Sequence, residues 1–254
     1  MKLVALELFK LRTQRAMTVI LLFAFLLSAL SFVATAISLN SGVIPGFDLT
    51  SEVAQRQLLS AGGGTTLILV FAVMGITGEY RHRTITSTFL GTPERHRVLI
   101  AKLFAYMIVA VAYGTVVACI ATGATLAFLS VQDVTMVVGW DKILLDYVRE
   151  LAVMSLYAGF GLGVGAIIAN QVAAMALVLL EPIGSSVLTG LLPEVGRWTP
   201  TQVATAFGME SDAAVFGGFS QEILAPGAAG FFFLGYVVLF LALAIFVTRK
   251  RDIT

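Results

Sequence analysis

Apolar runs long enough to cross a hydrocarbon core recur along the chain, separated by short polar and charged stretches. A crossing helix needs about 20 apolar residues. Residues 16–39, 58–78, 103–131 and 228–248 each meet that length, and a longer stretch from Leu151 to Leu192 is interrupted only by Asn170-Gln171 and Glu181-Pro182. One helix of that length does not fit a bilayer, whereas two helices over 151–169 and 172–192, joined by a tight turn at Asn170-Gln171, do. The 103–131 run exceeds the need, which predicts a helix that tilts, projects beyond the core or breaks near Gly123. Ahead of the first span, Val4, Leu8 and Leu11 share one helical face and Glu7, Lys10 and Gln14 the other. That is the pattern of an amphipathic helix lying at the interface, with a plain extension of the first span as the alternative. The first apolar run, although followed by Ala34-Thr35-Ala36, is longer than the roughly 7–15 residues of a signal-peptide core and is expected to be an uncleaved anchor. The expected fold is an all-α integral membrane protein: a single domain over 1–254 with six transmembrane helices.

Composition agrees with this pattern: 58% of the 254 residues are hydrophobic and 12% charged, which excludes an ordinary soluble domain. The net charge of +1 conceals a segregation. With six spans and the amino terminus inside, twelve Lys and Arg residues fall on the inner side, among them Lys2, Lys10, Arg12, Arg81, Arg83, Arg95, Arg97 and Arg249-Lys250-Arg251. Arg56, Lys142, Arg149 and Arg197 fall on the outer side. Inner loops carry the Lys and Arg excess, so both termini are expected in the cytoplasm, and a five-span chain would strand Arg249-Lys250-Arg251 outside. Ten of the fifteen carboxylates collect on the outer side, including Asp133, Asp141, Asp146 and those of the long outer loop 193–227. The lone cysteine, Cys119, rules out an internal disulfide and reads as a small buried hydrophobe.

Candidate chemistry is sparse. No G-x-x-x-x-G-K-[ST] phosphate loop is present, and His82 and His96 sit among arginines without metal-ligand spacing. The apolar spans hold no nucleophile with a partner base. The chain is therefore expected to carry no catalytic, cofactor or metal site. Gly159, Gly161, Gly163 and Gly165 form two overlapping small-xxx-small pairs, which predict close helix packing rather than a phosphate cradle. Glu181 stands out as the ionisable residue within the spans, about 16 Å along its helix and so near the bilayer midplane. Its two readings are a polar element of a translocation route and a hydrogen-bonded helix linker. Pro182 removes a helical donor, which predicts a kink or break there. Ser185, Ser186 and Thr189 extend a polar stripe, since 181, 185 and 189 recur at helical spacing.

A basic island runs from Gly78-Glu79-Tyr80-Arg81-His82-Arg83-Thr84-Ile85 through Thr92-Pro93-Glu94-Arg95-His96-Arg97 to Lys102. With Thr86-Ser87-Thr88-Phe89-Leu90, Pro93 and Ala101-Lys102-Leu103, it resembles the G-E-x-x-x-x-T-I stretch of ABC transporter permeases of the ABC-2 type. Weaker matches are Gly161 to Gly165, Asn170-Gln171, Leu180-Glu181-Pro182, Trp198-Thr199-Pro200 and Arg249-Lys250-Arg251-Asp252, which together spread the resemblance over most of the chain. The resemblance implies six helices per subunit and a dimer with a second permease copy or homologue, docked on two cytoplasmic ABC ATPase subunits that carry the ATP and Mg. It implies a short coupling helix over Thr84 to Leu90, including Thr86 and Phe89, with Glu79, Tyr80, Arg81 and Arg83 near the docking surface. Thr92 then caps, and Pro93 opens, the helix that enters the third span. The implied activity is export of a hydrophobic or amphipathic cargo, such as a drug, antimicrobial peptide or lipid, across the bacterial cytoplasmic membrane. Lipids are the implied surroundings, and no nucleic acid is expected. The alternative is a proton-coupled secondary transporter using Glu181. A membrane-embedded enzyme lacks its nucleophile or metal.

Overall fold

The computed structural model describes residues 2–41, 48–61, 64–85, 94–208 and 224–250, and all the regular elements among them are helices. In chain order they are α1 (Lys2–Thr13), α2 (Arg15–Asn40), α3 (Glu52–Ser60), α4 (Thr65–Arg81), α5 (Arg95–Val131), α6 (Trp140–Ile168), α7 (Gln171–Leu191), α8 (Pro193–Gly196), α9 (Pro200–Gly208) and α10 (Pro226–Lys250). Six stretches are long and apolar enough to cross a membrane: α2, the stretch 52–81 that comprises α3 and α4, then α5, α6, α7 and α10. The protein is a multi-pass membrane protein by this measure.

Contacts between helix ends give the stacking order. At one pole Arg81, the last residue of α4, donates to Gln171 Oε1 at the start of α7 over 3.1 Å, and Arg95 at the start of α5 donates to Thr248 O near the end of α10 over 2.7 Å. At the other pole Arg56 of α3 pairs with Asp146 of α6 at 2.8 Å, and Lys142 of α6 with Glu52 of α3 at 2.7 Å. Successive spans therefore alternate in direction. The amino-terminal helix and the end of α10 share the first pole, called here the basic pole, with residues 82–85 after α4 and Glu94 before α5.

Helix α6 is the centre of the bundle. In its most apolar window 72% of residues are buried, against 17% for α2 and for α10, so the latter two leave most of their surface uncovered by the other described helices. Its glycines make this possible by removing side chains on opposite faces. A Cβ on Gly159 would lie 2.8 Å from Val237 Cγ1, and one on Gly163 would lie 2.9 Å from Phe240 Cβ, both on α10. One on Gly161 would meet Leu69 O at 2.7 Å, and one on Gly165 would meet Ile76 Cγ2 at 2.4 Å, both on α4. Two large apolar cores result, beside two small clusters at the far ends of the helices. One large core joins α1, α2, α4, α5, α6 and the end of α10, and the other joins α4, α6, α7, α9 and α10.

The tight turn at Asn170-Gln171 is present. Helix α6 stops where Ala169 adopts a left-handed backbone (φ 56°), and Asn170 Oδ1 then caps α7 by accepting from Val172 N at 3.0 Å and Ala173 N at 3.1 Å. Several sequence expectations need correction. Of the three readings offered for the long third run, the break near Gly123 falls away: helix α5 runs unbroken for 37 residues, about 56 Å at 1.5 Å per residue, which leaves tilt or projection beyond a core about 30 Å thick. Helix α7 continues through Pro182. Helix α1 is a separate element, ended by the extended backbone of Gln14, but Glu7 is buried rather than on a solvated face. Cys119 is exposed rather than buried. The stretch read as a long outer loop contains α8 and α9, which pack inward. Thr92 and Pro93 lie outside the described residues, and α5 as described opens at Arg95 after Glu94.

Candidate functional site

Three polar assemblies stand out in an otherwise apolar molecule. The first lies near the basic pole. Lys102, the eighth residue of α5, is fully buried and donates to Glu7 Oε2 of α1 and to Glu79 Oε1 of α4, each at 2.5 Å. Glu7 Oε1 also accepts from Lys10 at 2.8 Å. Two carboxylates and two ammonium groups thus balance, which removes most of the cost of burying any one of them. Glu79 Oε2 has no hydrogen-bond partner among the described residues. The network ties α1 to the helices on either side of the basic connection. Beyond it, Arg83 is exposed with a left-handed backbone (φ 56°), and Thr84 and Ile85 begin a helical turn. Thr86, Phe89 and Leu90 of the expected coupling helix lie outside the described residues.

The second assembly centres on Glu181 and places α8 and α9 against α7. Glu181 Oε2 accepts from the Thr201 hydroxyl, and Oε1 accepts from Thr201 N at 3.3 Å. Thr201 is the second residue of α9, so the carboxylate meets unpaired amides and the positive end of a helix dipole. Four residues on, Ser185 hydrogen-bonds the Thr199 hydroxyl. After another four, Thr189 packs so closely on α8 that a Cβ on Gly196 would fall 2.3 Å from its Cα. Tyr236 of α10 donates to Trp198 O at 2.6 Å, and Trp198 meets Phe232 edge-on at 4.8 Å. Since Glu181 lies halfway along α7, the α8–α9 segment re-enters the bundle to about mid-depth. Ser186 does not join this face, being exposed and turned back to Pro182 O at 2.8 Å.

The third assembly is a cavity of about 560 Å³ at the far pole, bounded by α2, α3, α4, α6, α7 and α9. Arg56 forms a two-pronged pair with Asp146, Nε to Oδ2 at 2.9 Å and Nη2 to Oδ1 at 2.8 Å, and both line the cavity with Glu150. Tyr147 and Tyr157 add aromatic surface, and Thr201 and Pro182 form part of the lining near the Glu181 contact. No group of three or more His, Cys, Asp or Glu residues able to hold a metal occurs among the described residues.

No protein-family model matches the chain, and no curated protein matches it either. Its site must therefore be judged on its own residues. The sequence singled out Glu181, but it is not the one ionisable residue within the helices, since Glu79, Lys102 and Glu150 share that setting. Glu79, expected near a docking surface, is 6% exposed and turned inward onto Lys102. The face Asp146, Glu150, Val153 and Tyr157 was legible as a three-to-four residue period running into the fourth span. It was missed because the span was begun at Leu151, which left Glu150 in a loop.

Proposed function

We propose that the chain is the membrane-spanning permease subunit of an ATP-driven exporter of the ABC-2 type, working as a dimer on two cytoplasmic ATPase subunits in a bacterial cytoplasmic membrane. The observation that carries this reading is the Gly78 to Ile85 motif at the pole where α4 and α5 are fixed to α1 through Lys102. A displacement applied to the 82–94 connection would reach three helices together, because the buried ion network resists shearing between them. The arginines Arg81, Arg83, Arg95 and Arg97 fit a cytoplasmic face under the positive-inside rule. The far-pole cavity then opens outward, as a site from which cargo is released. The proton-coupled alternative has less to draw on, since the Glu181 carboxylate is committed to the amide and hydroxyl of Thr201.

The reading is tested by purifying the chain with its native complement of membrane partners in mild detergent. A protein bearing a phosphate loop should copurify, and nucleotide hydrolysis by the complex should fall when Arg83 is changed to Ala while membrane insertion is unchanged. A chain that purifies alone and drives uptake or efflux in vesicles on a proton gradient, without nucleotide, would overturn it.

A further inference from the structure

Of the charged side chains lining the far-pole cavity, Arg56 and Asp146 satisfy each other in a two-pronged pair, which leaves Glu150. Its carboxylate makes no hydrogen bond or ion pair with any described residue, although Lys142 and Arg149 lie on the same helix and Lys142 is engaged by Glu52. Among the described residues the lining therefore holds one carboxyl without a partner, which is negative only in its ionised form. Around it Leu69, Ile143 and Val153 contribute aliphatic surface and Tyr147 and Tyr157 rings, while Ser31, Thr35, Thr65, Thr66 and Thr205 add neutral hydroxyls to the wall. The Tyr147 hydroxyl is already occupied by Ala118 O at 3.0 Å and by Thr122, so the ring is what it presents. The volume falls within the roughly 300–1,000 Å³ typical of small-molecule sites. One acid left unpaired beside aromatic and aliphatic wall selects for a molecule with one positive charge on a hydrophobic body, because such a charge is attracted both by the ionised carboxylate and by ring faces.

We propose that this cavity binds a hydrophobic organic cation, with its positive charge facing Glu150 and its body against Tyr147, Tyr157 and the aliphatic wall. Under the exporter reading this names the class of cargo, but the binding itself rests on the cavity alone. The purified full-length chain in phosphatidylcholine nanodiscs, without ATPase or nucleotide, tests it with tetraphenylphosphonium as probe and tetraphenylborate as its counterpart of like size and opposite charge. Saturable binding of tetraphenylphosphonium at one site per chain is expected, weakened at least about tenfold by Glu150→Gln through loss of the charge attraction. Thr205→Phe, which projects into the cavity, should weaken it comparably. Glu194→Gln, an exposed carboxylate outside the lining, should leave it unchanged. Equal binding of tetraphenylborate, or an affinity within twofold of wild type for Glu150→Gln, overturns the proposal. If Glu150→Gln fails to fold by gel filtration, unchanged binding in Thr205→Phe overturns it instead. Glu150-dependent binding in a chain that recruits no ATPase would keep this site and discard the exporter reading. Loss of the site in a chain that still assembles with an ATPase would do the reverse.

Discussion

Lys102 shows how much a single residue depends on its partners. A lone ammonium at that depth would be strongly disfavoured, and two carboxylates without it would be worse. Lys102→Met is expected to lower unfolding stability by about 3–5 kcal/mol, since it leaves Glu7 and Glu79 buried beside one partner at most. Adding Glu7→Gln and Glu79→Gln to that change should recover much of the loss, as read from thermal unfolding in detergent. Failure of the added changes to recover stability would mean the network acts through packing alone. Glu181 answers to the same logic with smaller stakes. Glu181→Gln keeps an acceptor for Thr201 and should cost little, whereas Glu181→Leu leaves the Thr201 amide and hydroxyl unpaired and should cost about 1–3 kcal/mol. Equal stability of the two variants would show that the Thr201 contact contributes nothing. Glu181 was legible in the sequence because an acid amid apolar residues is conspicuous. Its partner was not, because Thr201 lies in a segment that reads as loop.

At the scale of elements, the glycines of α6 set the spacing of the bundle. Gly165→Leu places a side chain where Ile76 already lies within 2.4 Å of the Cβ position, and Gly161→Leu drives one against the backbone of Leu69. Each should destabilise by about 1–3 kcal/mol, as overpacking of a close contact does. Gly235→Ala, where nothing lies within 4 Å, should be neutral or slightly stabilising because alanine favours the helix. A thermal-shift series in detergent separates them, and indifference of α6 to Gly165→Leu would contradict the close packing. The period of these glycines was readable, but which neighbour each face meets was not. Gly159 and Gly163 face α10 while Gly161 and Gly165 face α4, a division that depends on where distant helices come to rest.

For the whole molecule, the alternation of helix directions and the basic pole lead to a topology test. In a Cys119→Ser background, a cysteine at Asp141 should react with an impermeant thiol reagent in intact cells, and one at Arg97 only after permeabilisation. The reverse pattern would invert the orientation. The native Cys119, exposed on the apolar flank of α5, should react with a membrane-permeant maleimide and resist an impermeant one. The sequence by itself determined that the chain is helical, has six lengths fit to cross a membrane, and gathers its positive charge at one pole, because these follow from local apolar length and charge order. Only the tertiary structure decided that Lys102 sits between Glu7 and Glu79, that α8 and α9 turn back into the bundle to meet Glu181, and that Glu150 faces a cavity. Those depend on side chains dozens of residues apart being brought within a few ångströms, and hydrophobic periodicity carries no record of which helix will lie beside which.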